Sequence, residues 1–165
     1  KLGYTKVAVT DLQEALSLLD DNVKRNEASD AVQVCNVTWG EPLSKPMLDL
    51  IQNSKRVLCV GADIVYRQSL FAPLIATLSD LLQYAHVSCL LASHSIRTHL
   101  PNFYQCLLEC LSIERVELVA TVSLPAEKTT AVASSKIQML TKVPIDKAPR
   151  ETSLVHIVNV ISNKD

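Results

Sequence analysis

The chain has 165 residues, 48% of them apolar, and a formal net charge of -1, the range of one ordinary globular domain with a substantial core. Charge is mixed along its length with no run of Lys or Arg, so nothing marks a phosphate-tracking surface and no nucleic-acid partner is indicated. No apolar run approaches the roughly 20 residues of a membrane span and no signal-peptide pattern opens the sequence; the first residue, Lys1, leads us to expect a natural N-terminus upstream.

Lys6 to Thr10 reads as a short strand closed by Asp11. The period then changes: Leu12, Ala15, Leu16, Leu19 and Val23 follow helical spacing, with Asp, Asn and Lys on the other face. Val32 to Val37 reads as a second strand, Arg56 to Ala62 as a third and His86 to Ala92 as a fourth. A helix from about Leu70 to Tyr84 places Leu74, Ile75, Leu78, Leu81 and Leu82 on one face, with Ser69 as its cap. Another begins near Pro101, a residue favoured in a first helical turn, and carries Phe103, Leu107, Leu108 and Leu111. Strands rich in β-branched residues and leucine, alternating with amphipathic helices, predict an α/β fold whose mostly parallel sheet is covered on both faces. Val116 to Val122, Ile137 to Val143 and Leu154 to Ile161 are strand-like with no strong helix between them, which predicts an antiparallel edge. Ser123 to Ser135, rich in Ala, Thr and Ser, reads as a long loop.

Three of the five cysteines, Cys35, Cys59 and Cys89, sit inside apolar strand-like runs, and Cys106 and Cys110 have helical i,i+4 spacing. No CxxC occurs and no His or second Cys pair completes a zinc set, so no metal is expected. Reduced, buried thiols fit an intracellular compartment.

Ligands of an open parallel sheet bind at the carboxyl ends of its strands, so the residues that follow each strand carry the functional reading. Asp11 closes the first strand; an acid there can accept hydrogen bonds from both hydroxyls of a cofactor ribose, or cap the following helix. After the second strand comes Trp39, the only tryptophan, which can lie against a purine or cover the core. After the third strand, in Gly61-Ala62-Asp63-Ile64-Val65-Tyr66, small residues allow close approach of a ligand. Asp63 and Tyr66 then project polar groups into the cleft, although Asp63 can instead cap a short turn. After the fourth strand Ser93, His94, Ser95, Arg97 and His99 read as a polar loop at a substrate entrance, since no nucleophile elbow surrounds the serines.

Taken in order, Val9-Thr10-Asp11-Leu12, the stretch Leu18 to Asn26, Thr38-Trp39-Gly40, and Gly61 to Tyr66 followed by Leu70 to Leu82 resemble the methyltransferase-like protein-lysine methyltransferases. The likeness covers roughly Lys6 to Ser95 and continues in outline to Leu154-Val155-His156-Ile157-Val158. The Asp-x-x-Tyr element after Gly-Ala is its most specific motif. The resemblance implies a Rossmann-like seven-strand fold, S-adenosylmethionine as cofactor, and a protein-lysine substrate. Members of this family act on chaperones, the valosin-containing ATPase and translation elongation factors, and an intracellular, cytoplasmic setting is expected for this chain. It further implies that Asp11 binds the cofactor ribose, that Trp39 lies near the adenine and that Ala62 lines the cofactor. Asp63 and Tyr66 would stand at the lysine entrance, and Arg97 matches a family arginine without a catalytic role.

Family members hold the methionine half of the cofactor over a Gly-x-Gly-type turn after their first strand. The glycines here, Gly3, Gly40 and Gly61, cannot form one. In the family's strand order that first strand is central, between the strands that begin here at Lys6 and Arg56. Without it those two would face each other across about 9.6 Å, with unpaired backbone along both edges. We therefore expect residues 1–165 to be a single methyltransferase-like domain, N-terminally incomplete. The alternative is a catalytically silent methyltransferase-like fold acting as a structural or interaction subunit of an assembly.

Overall fold

A computed structural model describes residues 5–94, 98–110, 113–123, 137–144 and 154–162. It divides into two compact units, Lys1–Ser54 and Lys55–Asp165. Among the described residues there are seven strands in two sheets, a two-stranded one and a five-stranded one.

The first unit contains β1 (Val7–Asp11), α1 (Leu16–Arg25), β2 (Val32–Asn36) and α2 (Lys45–Gln52). β1 and β2 run parallel, Val7 opposite Val32 through Asp11 opposite Asn36, as a strand-helix-strand crossover requires. A 3-10 turn, Gln13–Ala15, leads into α1, and Lys24 and Arg25 in its last turn complement the helix dipole. No glycine ends this helix. Glu27 takes the left-handed conformation instead, with φ 52°; its N–H donates to the Lys24 carbonyl at 3.0 Å and the Ala28 N–H to the Val23 carbonyl at 3.1 Å. These two bonds are the Schellman arrangement, with a glutamate where glycine is usual. The helix α2 lies where no helix is predicted from periodicity. Pro46 stands in its first turn and buries no missing N–H, while Met47 and Ile51, one turn apart, form its buried side.

The second unit contains β3 (Val57–Ala62), α3 (Phe71–Leu82), β4 (Val87–His94), α4 (Leu100–Cys110), β5 (Ile113–Ser123), β6 (Ile137–Pro144) and β7 (Leu154–Ser162). Its sheet has the order β3-β4-β7-β5-β6. β3 and β4 are parallel, while β7 pairs antiparallel with both β4 and β5, and β6 antiparallel with β5. The predicted antiparallel strands are present at one side of this sheet, and among the described residues parallel pairing joins β1 to β2 and β3 to β4. The residues that connect β5, β6 and β7 lie outside the described residues. Of the predicted loop Ser123 to Ser135, Ser123 ends β5 and the rest lies outside the described residues, as do Leu111 and Arg97.

The core of this unit lies between β4 and the two helices. Val87, Cys89, Leu91 and Ser93, alternate residues of one strand, are buried together with Phe71, Leu74, Ile75, Leu78 and Leu82 of α3 and Leu100, Phe103, Tyr104 and Leu107 of α4. Phe71 and Phe103 meet edge to face at 5.2 Å between ring centroids, an arrangement aromatic rings favour. The predicted cap Ser69 falls inside a 3-10 turn, Gln68–Leu70, and Leu70 occupies the N-cap of α3 without a side-chain bond. The cover expected on both faces of the sheet is incomplete at β3, where Leu58 is 36% and Val60 67% exposed. Among the described residues β1 pairs only with β2 and β3 only with β4, so each keeps one edge without a ladder partner.

Candidate functional site

At the carboxyl end of the β1–β2 pair, Asp11 and Asn36 stand directly opposite each other, and the Val37 N–H donates to the Asp11 carbonyl at 3.0 Å. The Asp11 side chain is exposed, and its Oδ1 accepts the N–H of Leu12 at 2.8 Å. Leu12, not Asp11, occupies the N-cap of the following helical turn, with no side-chain cap bond, so the capping reading of Asp11 is not realised. Asn36 carries a buried Oδ1 with no hydrogen-bond partner. Such an orphaned acceptor costs about 1–3 kcal/mol, which a donor hydroxyl from a ligand would recover. Beyond it, Thr38 to Glu41 form a turn closed by the Glu41 N–H on the Thr38 carbonyl at 3.1 Å. Gly40 sits at the third position with φ 84°, the value a type II turn demands and glycine supplies. Trp39 thereby occupies the leading corner of the turn, half-buried.

The second cluster lies at the carboxyl end of β3. The Asp63 N–H donates to the Ala92 carbonyl at 2.7 Å, carrying the β3–β4 ladder one residue past Ala62. Asp63 then turns the chain with φ 52°, a left-handed conformation that Asp and Asn tolerate better than other non-glycine residues. Ile64 folds back over the strand: a Cβ on Gly61 would lie 2.5 Å from Ile64 Cδ1 and 3.2 Å from Leu91 Cδ2. The space that Gly61 leaves is filled by the protein's own side chains, which corrects the expectation that it gives room for a ligand. Ala62 is exposed at the strand end.

Val65, 1% exposed, anchors the segment, and Tyr66, 43% exposed, follows it to the surface. His99 donates from Nε2 to the Val65 carbonyl at 3.1 Å, 34 residues away in sequence. The His99 ring packs 5.8 Å from that of Phe71, which ties it to the core. The Arg67 guanidinium lies 5.8 Å from the centre of the Tyr66 ring, within cation–π range. The next helical turn, Gln68–Leu70, has Arg67 at its N-cap and no side-chain cap bond. Asp63 and Tyr66 are thus exposed on either side of a pinned Val65.

Of the residues singled out from sequence, Asp11 and Trp39 share the strand ends of the first unit, and Ala62, Asp63 and Tyr66 share the β3 end of the second. Periodicity gave no hint of Asn36, whose significance is its missing partner, or of His99 and Arg67 as supports of the Asp63–Tyr66 segment. Ser93 is no nucleophile: it is 1% exposed against the equally buried Tyr104. The two hydroxyls are close enough for Ser93 to influence Tyr104, yet neither completes a hydrogen bond. Burial pushes the Tyr104 phenol up to about 12, with Ser93 pulling weakly the other way. Among the described residues no group of three or more His, Cys, Asp or Glu is placed to hold a metal ion, and no helix is long and apolar enough to cross a membrane.

Residues 1–110, which include both strand-end clusters, match the family model described as lysine methyltransferase. The chain belongs to this family. Over 78 residues it is 41% identical to the zebrafish (Danio rerio) Protein N-lysine methyltransferase METTL21A, covering 46% of this chain and 34% of that protein. Over 80 residues it is 38% identical to the yeast (Saccharomyces cerevisiae) Protein-lysine N-methyltransferase EFM6, covering 47% of this chain and 32% of that protein. The chain therefore spans about a third of the length of these curated relatives.

Proposed function

We propose that the protein transfers the methyl group of S-adenosylmethionine to a lysine side chain of a protein substrate. The observation that carries this reading is the family match across residues 1–110, a span that contains the exposed Asp63 and Tyr66 flanking Val65. Substrates of the chaperone, ATPase or translation-factor classes belong to the same proposal. So does an intracellular, cytoplasmic setting, which the free thiols of Cys35, Cys59, Cys89 and Cys106 support.

The residues of the first unit fit the adenosine half of the cofactor. Asp11 offers an exposed carboxylate and Asn36 an unsatisfied buried acceptor for hydroxyl donors, and Trp39 offers a half-buried ring for a purine face. Ala62 is the small residue for the cofactor at the end of β3. When bound, S-adenosylmethionine supplies an electrophilic methyl group on a sulfonium that is already a good leaving group. The protein's task is therefore mainly to position the attacking amine in line. Lysine arrives protonated, with a reference pKa of about 10.4, and must lose a proton before attack. Asp63 holds and orients the ammonium through its carboxylate, and Tyr66, braced by Arg67, walls the channel.

A single methyltransferase-like domain of Rossmann-like, seven-strand type spanning residues 1–165, completed by a further N-terminal strand and glycine turn, is part of the same reading. The edges of β1 and β3 that have no ladder partner among the described residues, and the exposed Val60, support it.

The test uses the full-length protein with labelled cofactor and cell extract. Because Asp63 has φ 52°, Asp63→Ala mixes loss of charge with backbone strain, whereas Asp63→Asn keeps size and tolerates the left-handed conformation. Wild type should label a protein band on lysine. Asp63→Asn should lower kcat/KM by about 10- to 100-fold, the worth of one hydrogen bond to a charged group. A variant as active as wild type removes Asp63 from the mechanism, and a wild-type protein that labels nothing overturns the assignment.

A further inference from the structure

Two thiols of the second unit stand directly opposite each other across parallel strands: Cys59 of β3 and Cys89 of β4 are register partners, and both are free. Cys89 is 0% exposed, while Cys59 is half-buried, so a small oxidant reaches the pair from the Cys59 side. We propose that Cys59 and Cys89 form a reversible oxidation site that a hydroperoxide closes to a disulfide.

Parallel neighbours place opposed Cα atoms about 4.8 Å apart, inside the roughly 4.4–6.8 Å range that disulfides span. Their Cβ atoms leave the sheet side by side, so these also start near about 4.8 Å, somewhat beyond the roughly 3.5–4.5 Å that the bridge prefers. Closure must draw the strands together by a few tenths of an ångström. That strain makes the bond easier to reduce, which suits a reversible site rather than a structural one. Its neighbour Cys89 holds the Cys59 thiol below the ordinary thiol value, while the neighbouring Cys59 together with burial raises Cys89. The first proton thus leaves from Cys59, the more accessible sulfur, and Cys89 keeps its own.

The chemistry balances. The Cys59 thiolate attacks one oxygen of hydrogen peroxide; the S–O bond forms, the O–O bond breaks, and the departing hydroxide takes a proton to leave as water. The sulfur of Cys89 then displaces the second oxygen from the Cys59 sulfenic acid. The S–S bond forms, the S–O bond breaks, and the Cys89 proton leaves in the second water. Two thiols lose two electrons and one peroxide gains them. This proposal goes beyond methyl transfer and does not depend on it. It bears on the same strand, because Gly61, two residues after Cys59, already has Ile64 and Leu91 packed against it.

The experiment treats the folded chain with hydrogen peroxide, blocks remaining thiols with N-ethylmaleimide and digests with trypsin. Peptides 57–67 and 68–97 hold one cysteine each, Cys59 and Cys89. The expected product is the two peptides linked, lighter by two hydrogens than their sum and separated by dithiothreitol. In Cys89→Ala the Cys59 sulfenic acid finds no partner and advances to sulfinic acid. In Cys59→Ala, a half-buried position where the fold is least disturbed, Cys89 stays reduced and alkylatable after denaturation. The proposal is overturned if Cys59 is consumed without the 57–67/68–97 link, if Cys59 links instead to Cys106 or Cys110, or if dithiothreitol fails to separate the pair.

Discussion

Replacing Gly61 by Ala puts the packing at the β3 end to a quantitative test. The added Cβ would lie 2.5 Å from Ile64 Cδ1 and 3.2 Å from Leu91 Cδ2, against an ordinary carbon–carbon contact of about 3.5–4.0 Å. Leu91 is 2% exposed and locked in the core, so the Ile64 side chain must give way by about 1 Å or the strand must shift. Overpacking of this kind costs about 1–3 kcal/mol. Gly61 does not have a positive φ, so Ala meets no backbone penalty there and recovers about 0.4–1 kcal/mol by restricting the unfolded chain. The net expectation is a loss of about 1–2 kcal/mol. Ile64→Val removes the Cδ1 atom and, because Ile64 is half-buried, costs about 1 kcal/mol or less by itself. Urea unfolding of wild type, both single variants and the double variant should then show a positive coupling of about 1 kcal/mol, the double being more stable than the sum predicts. Additivity within about 0.5 kcal/mol would refute the close approach of Ile64 to Gly61.

Glu27→Gly should stabilise the protein by about 1 kcal/mol in the same assay, because it relieves the left-handed glutamate that ends α1; an unchanged or lower midpoint would contradict the Schellman geometry. Tyr104 ties stability to alkaline pH. Its folded value, pushed up to about 12, exceeds the unfolded reference of about 10, so its contribution is intact below pH about 10 and is lost as pH rises toward 12, about 3 kcal/mol across that window. Tyr104→Phe should lose this extra alkaline slope while keeping near-wild-type stability at neutral pH, since the hydroxyl completes no hydrogen bond; equal slopes in the two proteins would place the phenol in water.

Much of the fold was legible from the sequence because its signals are local. The strands at Val7–Asp11, Val32–Asn36, Val57–Ala62 and Val87–His94 lie within two residues of where apolar runs predict them, and the heptad-like spacing from Leu74 to Leu82 marks the buried face of α3. The helix α2 was missed because its eight residues are few for a periodic pattern, although Pro46 followed by Met47 and Ile51 carries the signal in retrospect. The end of α1 was hidden for a related reason: its left-handed residue is a glutamate, and the usual glycine marker is absent.

The sequence by itself determined which residues stand at strand ends, because alternation and strand termination are properties of a few neighbouring residues. Asp11, Ala62 and Asp63 are found there, and Trp39 and Tyr66 follow within a few residues. Tertiary structure alone decided what those positions can do. Only pairing across the chain could insert β7 between β4 and β5, fill the space at Gly61 with Ile64 and Leu91, or bring the imidazole of His99 onto the Val65 carbonyl. The same pairing sets Cys59 beside Cys89. Apart from Ile64, three residues from Gly61, each is a contact between residues distant in sequence, settled by how the chain pairs and packs, and no local pattern records that outcome.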